Sequence, residues 1–401
     1  MDDLYVHYWQ LPQNLYVSLK EDYHIYLLSK IKEKIDYELP DCFCIFLDCN
    51  ELHSLRLFKR LIRFRISELM ITGDFLGLQQ EEIENNIETL GNTEHRTIIK
   101  NPRFPFSMLD ICYVASHLMF DGSYRDKKGC YFFAYPNDLV DYHKQRLSLF
   151  GGVPMNFIEV ENQLYFSYTL GYIASKLLEI SDFRSLKVCL SDKFKKLAKD
   201  NIAFLNEFIK SMIIDEGAVD GNIRVELGNN EQFIYDIYEV VSSFYKLNKI
   251  SSRHRFIHFK GVKNKYNYEQ TSWTIVFSAS CFKMLYENIN PLPITYKQRN
   301  FQAIYTRQIR SWFKRKEGET KKLMVESLLQ NPKSILELCL ELNVGLSVIR
   351  SHLKGHPTYS DSLIKIGIVS KVGERVLQKG GFAKEDLFGI VDQEKARKYL
   401  L

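Results

Sequence analysis

Two carboxylates, Asp121 and Glu216, each close an apolar stretch and are each followed by a glycine: Val114-Ala-Ser-His-Leu-Met-Phe-Asp121-Gly122 and Ile209-Lys-Ser-Met-Ile-Ile-Asp-Glu216-Gly217. Paired acids of this kind hold a divalent cation, which activates water and stabilises the leaving oxygen in phosphodiester cleavage. The apolar residues before each acid fit a helix. Two such helices approach closely where small residues line the contact. Ala115, Ser116 and Ser211 lie one or two turns before the acids, and Ala218 follows Glu216 closely. Packed side by side, the helices would end at one level and bring Asp121 and Glu216 together. Like charges at close range are costly without a cation between them. The glycines let the chain turn away sharply and free a carbonyl to complete a cation's shell. Taken singly, Asp121 reads better as a turn cap and Glu216 as a surface acid; only the pair in register favours a metal site. His117 reads as a hydrogen-bonded helix-interface residue rather than a general base. Asp215 points about 100° away from Glu216 around the helix, and reads as a helix-end acid whose carbonyl matters more than its side chain.

The elements that would position these acids follow from periodicity and caps. Ser107 caps a helix to Phe120. A strand follows at Tyr131–Tyr135, a helix from Asp138 to Leu149, a hairpin turning at Glu161-Asn162, and a helix from Tyr172 to Ile180, with a further short strand near Ser123. After Asp182 the pattern recurs. A long helix spans Asp192 to Asp215, a strand Asn222 to Leu227, and a helix Glu231 to Leu247; two strands lie at Arg253–Lys260 and Thr271–Ser278, and a closing helix at Cys281–Asn288. The acid-glycine step falls at the same place in each copy, so the organisation is an internal duplication.

Outside the duplication, residues 1–100 read as a separate helical module. Its helices are Glu21–Lys34, a basic one at Leu52–Leu69 (Arg56, Lys59, Arg60, Arg63, Arg65) and an acidic one at Gln79–Thr89. It is either a worn helix-turn-helix or a plain helical extension. Asn92 to Phe106, with Pro102 and Pro105, is a linker. A basic helix, Tyr296–Arg315, follows Pro293. Thr320–Leu329, Ile335–Leu342, the turn Asn343-Val-Gly345, Leu346–Leu353 and a hairpin from Ile366 then read as a winged helix-turn-helix. The domains expected are 1–100, 101–185, 186–292 and 293–401. The expected fold class is α+β.

At the acid-glycine segments the chain resembles the LAGLIDADG homing endonucleases, in the single-chain, two-repeat, freestanding archaeal-type form. The resemblance covers roughly Phe106 to Ile289. Each short match alone is weak; two in register, each with the same trailing elements, are more specific. It implies two pseudo-symmetric αββαββα repeats whose antiparallel sheets form a saddle over duplex DNA, in a monomer with an internal pseudo-dimer. It maps Asp121 and Glu216 onto the Mg2+-binding catalytic acids. The family's supporting lysines, one per repeat, have no fixed counterpart in this sequence; Lys263 or Lys265 in the second repeat and Lys176 in the first are the candidates. Two residues depart from the motif: Phe120 stands where a small residue is usual, which would widen the helix crossing, and Lys210 replaces a small or apolar one. The chain carries no N-terminal nucleophile or terminal His-Asn, unlike inteins.

Composition sets the partners. The chain has 401 residues, is 45% hydrophobic and carries a formal charge of +5, enough for cores in several domains. No apolar run reaches the length of a bilayer span and no signal-peptide pattern opens the chain, so a cytoplasmic protein without membrane contact is expected. The eight cysteines are scattered; Cys42, Cys44 and Cys49 lack a His partner or paired CxxC spacing, which fits thiols of a reducing compartment. Between Lys297 and Lys333 ten basic residues face three acidic ones, a pattern that suits either a polyanion partner or a solvated helix face.

Candidate DNA contacts are Arg224, Glu226, Arg253, Arg255, His258, Lys260, Lys263 and Lys265 in the second repeat, with Tyr131, Phe133 and Tyr135 or their opposite face in the first. Beyond the repeats they are Arg310, Lys314 and Arg315 on the basic helix, and Ser347, Arg350 and Lys354 on the recognition helix, where Val348 and Ile349 read as packing. The expected function is a site-specific, Mg2+-dependent endonuclease acting on double-stranded DNA. Two other readings stand beside it: a DNA-binding regulator that no longer cuts, and an RNA-binding splicing helper of the maturase kind.

Overall fold

The computed structural model describes residues 4–34, 47, 51–60, 62–92, 98–125, 129–135, 138–184, 187–220, 222–228, 230–258, 267–309, 318–342, 344–355, 362–376 and 384–401. The description covers the backbone alone at residues 51, 52, 54, 58, 125, 254–258, 267–270, 307–309 and 347. The fold is mixed α+β, built from helices and several small sheets. It divides into two compact units, one of Met1–Glu216, Leu227–Phe244 and Arg253–Trp273, the other of Gly217–Glu226, Tyr245–Ser252 and Thr274–Leu401. Among the described residues no helix is long and apolar enough to cross a membrane.

The N-terminal segment is not purely helical. It runs β1 (Tyr5–Val6), β2 (Tyr16–Leu19), α1 (Glu21–Lys34), α2 (Glu51–Phe58), β3 (Phe64–Arg65), α3 (Ile66–Leu76), α4 (Gln80–Glu84), β4 (Ile87–Gly91) and β5 (Ile99–Lys100). A four-stranded sheet has the order β3-β2-β4-β5. The single helix expected over 52–69 is broken. Arg60 takes a left-handed φ of 56°, Phe64 and Arg65 pair with Val17 and Tyr16, and α3 starts afresh with the Glu68 carboxylate accepting the Arg65 N–H at 2.8 Å. The helix expected over 79–89 stops after Glu84, because Ile87–Gly91 pairs with β2. Nor does the segment end at a free linker: β1 pairs with β6 (Phe106–Ser107), and Lys100 bridges to Gly152.

β6 leads directly into α5 (Met108–Met119), whose first turn is capped by Ser107 Oγ accepting from the Leu109 N–H. Next come β7 (Ser123–Arg125), β8 (Gly129–Phe133), α6 (Asp138–Leu147), β9 (Met155–Ile158), β10 (Gln163–Phe166) and α7 (Tyr168–Leu177). The following segment holds α8 (Asp192–Asp200), α9 (Ile202–Asp215), β11 (Gly217–Val219), β12 (Ile223–Gly228), α10 (Glu231–Ser242), β13 (Ser251–His258), β14 (Asn267–Val276) and α11 (Phe282–Ile289). The helix expected over 192–215 is thus two helices. Asn201 leaves helical geometry at φ −133°, ψ 106°, and its side chain accepts from the Phe204 N–H as the cap of α9. The strand orders are β7-β8-β10-β9 and β11-β12-β14-β13. Counted from the acid-glycine step, both sheets read first, second, fourth, third.

The C-terminal residues form α12 (Thr295–Ile309), α13 (Glu319–Gln330), β15 (Lys333–Ser334), α14 (Ile335–Leu342), α15 (Leu346–Lys354), β16 (Val369–Val376), β17 (Lys384–Ile390) and α16 (Gln393–Leu400). The sheet order is β15-β17-β16, over a core that includes Met324, Leu328, Leu338, Ile349, Leu353 and Phe388. The start of α14 repeats the device of α3. Glu337 accepts the Ser334 N–H at 2.9 Å, while Ser334 Oγ accepts the Glu337 N–H at 3.1 Å.

Candidate functional site

Helices α5 and α9 pack against each other. Ala115, Ser116 and Ser211 are fully buried, as small residues at a close crossing should be. The approach is tight enough for Cys112 Sγ to reach the Phe204 carbonyl at 3.6 Å, while Ser116 Oγ turns back to the Cys112 carbonyl of its own helix at 2.7 Å. Phe120 is buried beside the helix pair, against Phe208 at 5.6 Å and Phe233 at 5.7 Å. Its bulk therefore fills a pocket between α9 and α10.

Both acids leave the helices at the same end. His117 Nδ1, in the last turn of α5, meets both carboxylate oxygens of Asp215, at 2.8 and 3.0 Å across 98 residues of sequence. Asp121 lies four residues beyond His117, and Glu216 one beyond Asp215. Glu216 is half-buried and closes α9 with its N–H on the Met212 carbonyl at 2.9 Å; Asp121 is exposed. Gly122 is obligatory, because a Cβ there would stand 2.5 Å from the His117 carbonyl oxygen and 2.8 Å from Leu118 Cα. Among the described residues no group of three or more His, Cys, Asp or Glu side chains gathers to hold a metal ion. Two carboxylates nonetheless fit Mg2+, which keeps several waters and takes one or two protein carboxylates plus substrate phosphate oxygens.

The contact between α5 and α9 holds a polar ladder that reaches to α6, buried at Tyr113, His117 and His143 and half-buried at Asp110, Arg146 and Glu207. Arg146 of α6 donates to Asp110 of α5 at 2.9 Å and faces Glu207 of α9 at 3.1 Å. Its guanidinium lies over the Tyr113 ring at 4.4 Å. Tyr113 and His143 share a hydrogen bond of 2.5 Å between the phenol and Nδ1. The His117–Asp215 pair is the rung nearest the acids, its side chains 1% and 2% exposed. Burial presses the His117 imidazole down to about 3, against the pull of the Glu207 carboxylate, so it is neutral and donates Nδ1–H to Asp215. His143 is held well below its ordinary range, by burial first and then by His117 and Arg146. Burial raises Asp110, with Arg146 opposing. Burial also lowers Lys210, with Glu207 opposing and Arg146 assisting. The sequence reading found His117 but missed Asp110, Tyr113, His143, Arg146 and Glu207. The available signal was polar residues at i, i+3 and i+7 (Asp110, Tyr113, His117) inside an otherwise apolar helix.

The ladder predicts a pH dependence. Unfolded histidines take up a proton near about pH 6.5, whereas these two stay neutral when folded. Stability is therefore full above that pH and falls below it, by up to about 1.4 kcal/mol per pH unit for each imidazole. Urea midpoints between pH 7.5 and 5.5 should decline, and His143→Phe should remove about half of the slope. A flat profile would mean that the imidazoles protonate in place.

The candidate DNA contacts are scattered more widely. On β12, Arg224 and Glu226 alternate with buried Ile223 and Val225, and Arg224 pairs with Asp220 at 3.0 Å. Arg253 is exposed on β13; the side chains of Arg255 and His258 on that strand, and Lys260, Lys263 and Lys265, lie outside the described residues. So do Arg310, Lys314, Arg315 and the Ser347 side chain, as well as Cys42, Cys44 and Cys49. On α15, Arg350 is exposed, and Lys354 is exposed but pairs with Asp386 at 3.7 Å. Ile349 is buried as expected, whereas Val348 is exposed. On α7, Lys176 lies over the Tyr172 ring at 5.7 Å.

In the first sheet, Tyr131 and Phe133 alternate with buried Cys130 and Phe132, and Tyr131 pairs across the sheet with Tyr165. Part of the basic block is satisfied internally. Lys297 is buried, Arg299 faces Glu337 and Glu385, and Lys333 pairs with Glu341. The acidic α4 is likewise engaged within its own unit: Tyr23 donates to Glu82 at 3.0 Å, and His7 meets Glu84 at 2.8 Å.

Compared with known proteins, the chain matches no protein-family model and no curated sequence.

Proposed function

We propose that this chain is a site-specific double-strand DNA endonuclease of the LAGLIDADG homing-endonuclease kind, with Asp121 and Glu216 as its paired metal-binding acids. The observation that carries the reading is the level ending of α5 and α9, locked by His117 and Asp215, with an acid-glycine step leaving each helix. The common strand order of the two sheets supports two related repeats.

In this reading Asp121 and Glu216 would hold Mg2+ through their carboxylates. When bound, the ion lowers the pKa of its water and stabilises the departing oxygen. Gly122 keeps the chain close under the helix pair so that Asp121 projects at its end. Arg224, Glu226 and Arg253 meet base edges or phosphates, since Arg reads guanine and Glu accepts from cytosine. The C-terminal segment acts as a winged helix-turn-helix that presents Arg350 from α15; Lys354 must exchange Asp386 for a phosphate to join it.

A second reading, an RNA-binding splicing helper, draws on the first sheet. Phe133 is 39% exposed, and it shares an outward face with Tyr131, Tyr165 and Gln163. Exposed rings on a sheet suit the stacking of unpaired bases.

One experiment separates the readings. Purified protein is incubated with a randomised duplex library in Mg2+, in Ca2+ and in EDTA, with structured intron RNA as competitor. An endonuclease cuts a subset of duplexes in Mg2+ and retains salt-sensitive binding in EDTA. Binding without cleavage in any metal identifies the non-cutting regulator. Preferential displacement by RNA identifies the splicing helper. Folded protein that neither binds nor cuts removes all three.

A further inference from the structure

Resting on that reading, we propose that His117 and Asp215 are positioning residues: their hydrogen bond fixes the longitudinal register of α5 against α9, and so sets where Asp121 and Glu216 present their carboxylates. Apart from this bond, the Arg146 bridge and the Cys112 contact with the Phe204 carbonyl, the described side chains of the two packed helices are mostly apolar or small and buried, Val114, Ala115, Leu118, Phe208 and Met212 among them. Such contacts are non-directional, so they hold the axial position less sharply than a hydrogen bond does. A directional bond cannot slip. The His117 ring contacts both oxygens of Asp215, and its orientation is fixed by Tyr113 at 4.7 Å, His143 at 4.8 Å and Phe132 at 5.4 Å. Arg146, spanning Asp110 and Glu207, sets a second rung farther up the helices. Two rungs separated along the axis define both the register and the crossing of the pair. The rung nearer the acids has the shorter lever: Asp215 adjoins Glu216, and His117 is one turn from Asp121.

A merely structural role predicts something different. Exchanging a buried polar pair for apolar residues of similar volume is often neutral or stabilising, so thermal stability alone does not report on register. The test is the double variant H117L/D215L. It is read by its thermal midpoint, by direct Mn2+ titration, and by the Mg2+ dependence of cleavage. The expected result is a midpoint near that of the unmodified protein, with half-saturating metal raised roughly 10–100-fold, the range for losing an outer-shell partner of a metal site. H117N, which keeps an N–H close to the place of Nδ1, should regain most of that loss, and H117L should not. If the double variant fails to fold, D215N carries the test, with a smaller shift in the same direction. Unchanged metal dependence in folded H117L/D215L, or H117N no better than H117L, overturns the proposal while leaving the endonuclease reading intact. An unmodified protein that neither binds Mn2+ nor cuts DNA removes the reading and this inference with it.

Discussion

On the proposed function, Asp121→Asn and Glu216→Gln should each reduce cleavage by roughly a thousandfold or more, because each would remove one of the two charges proposed to hold the metal, which would supply several kcal/mol of transition-state stabilisation. Both substitutions conserve shape, so affinity for the preferred duplex in EDTA should be unchanged. Stability should move the other way. Two carboxylates at the same end of a helix pair repel each other, and neutralising one relieves that repulsion. In the absence of metal the variants should unfold at the same temperature as the parent or slightly above it. A second readout follows from linkage. Ca2+ at a hundred times its dissociation constant should stabilise the parent by about 2.7 kcal/mol, and the variants by much less. Scanning calorimetry with and without Ca2+, alongside plasmid cleavage, measures both effects. A Glu216→Gln protein that cuts at the parental rate would remove Glu216 from the site.

The parts of this fold that were legible in the sequence are those with strong local signals. Ser107 announced α5, and the alternation Ile223, Val225, Leu227 announced β12. The turn at Glu161-Asn162 was legible because Asn162 accepts a left-handed φ of 51° at little cost. Signals failed where long-range pairing overrode local periodicity. Ile83, Ile87 and Leu90 fall at helical spacing, yet Ile87 and Leu90 belong to a strand that pairs with Tyr16–Leu19 far upstream. Asp200-Asn201 before an apolar run is a cap signature, but the charged amphipathic run before it looked continuous with α9.

At the candidate site, the repetition of the acid-glycine step was legible in the sequence. The ladder was not, because its members come from three helices and nothing local marks Arg146 as the partner of Asp110 and Glu207. Asp215 is the clearest reversal. Its position beside Glu216 suggested a carbonyl role, whereas its side chain makes the bond across the interface.

Arg146→Met should be the most destabilising single change in the ladder. The guanidinium lies between Asp110 and Glu207, with all three side chains 13–18% exposed. Removing one partner of a largely buried ionic cluster leaves charge without compensation, at a cost of up to about 3–5 kcal/mol. Domains are stable by only about 5–15 kcal/mol in total, so the variant should melt far below the parent or be partly unfolded. Lys210 decides where in that range the loss falls. It lies close enough to Glu207 for the carboxylate to pull its pKa upward against burial. Without Arg146 it becomes the remaining cation for Glu207, which places Arg146→Met toward the lower end and the double variant R146M/K210M toward the upper. Exchanging the whole cluster, as D110L/R146M/E207L/K210M, should recover most of the stability, because no buried charge is then left alone. Urea unfolding at pH 7.5 for the three variants orders them. If R146M alone costs less than about 1 kcal/mol, the range of an exposed pair, water reaches the cluster and Asp110 and Glu207 are not held in a dry contact.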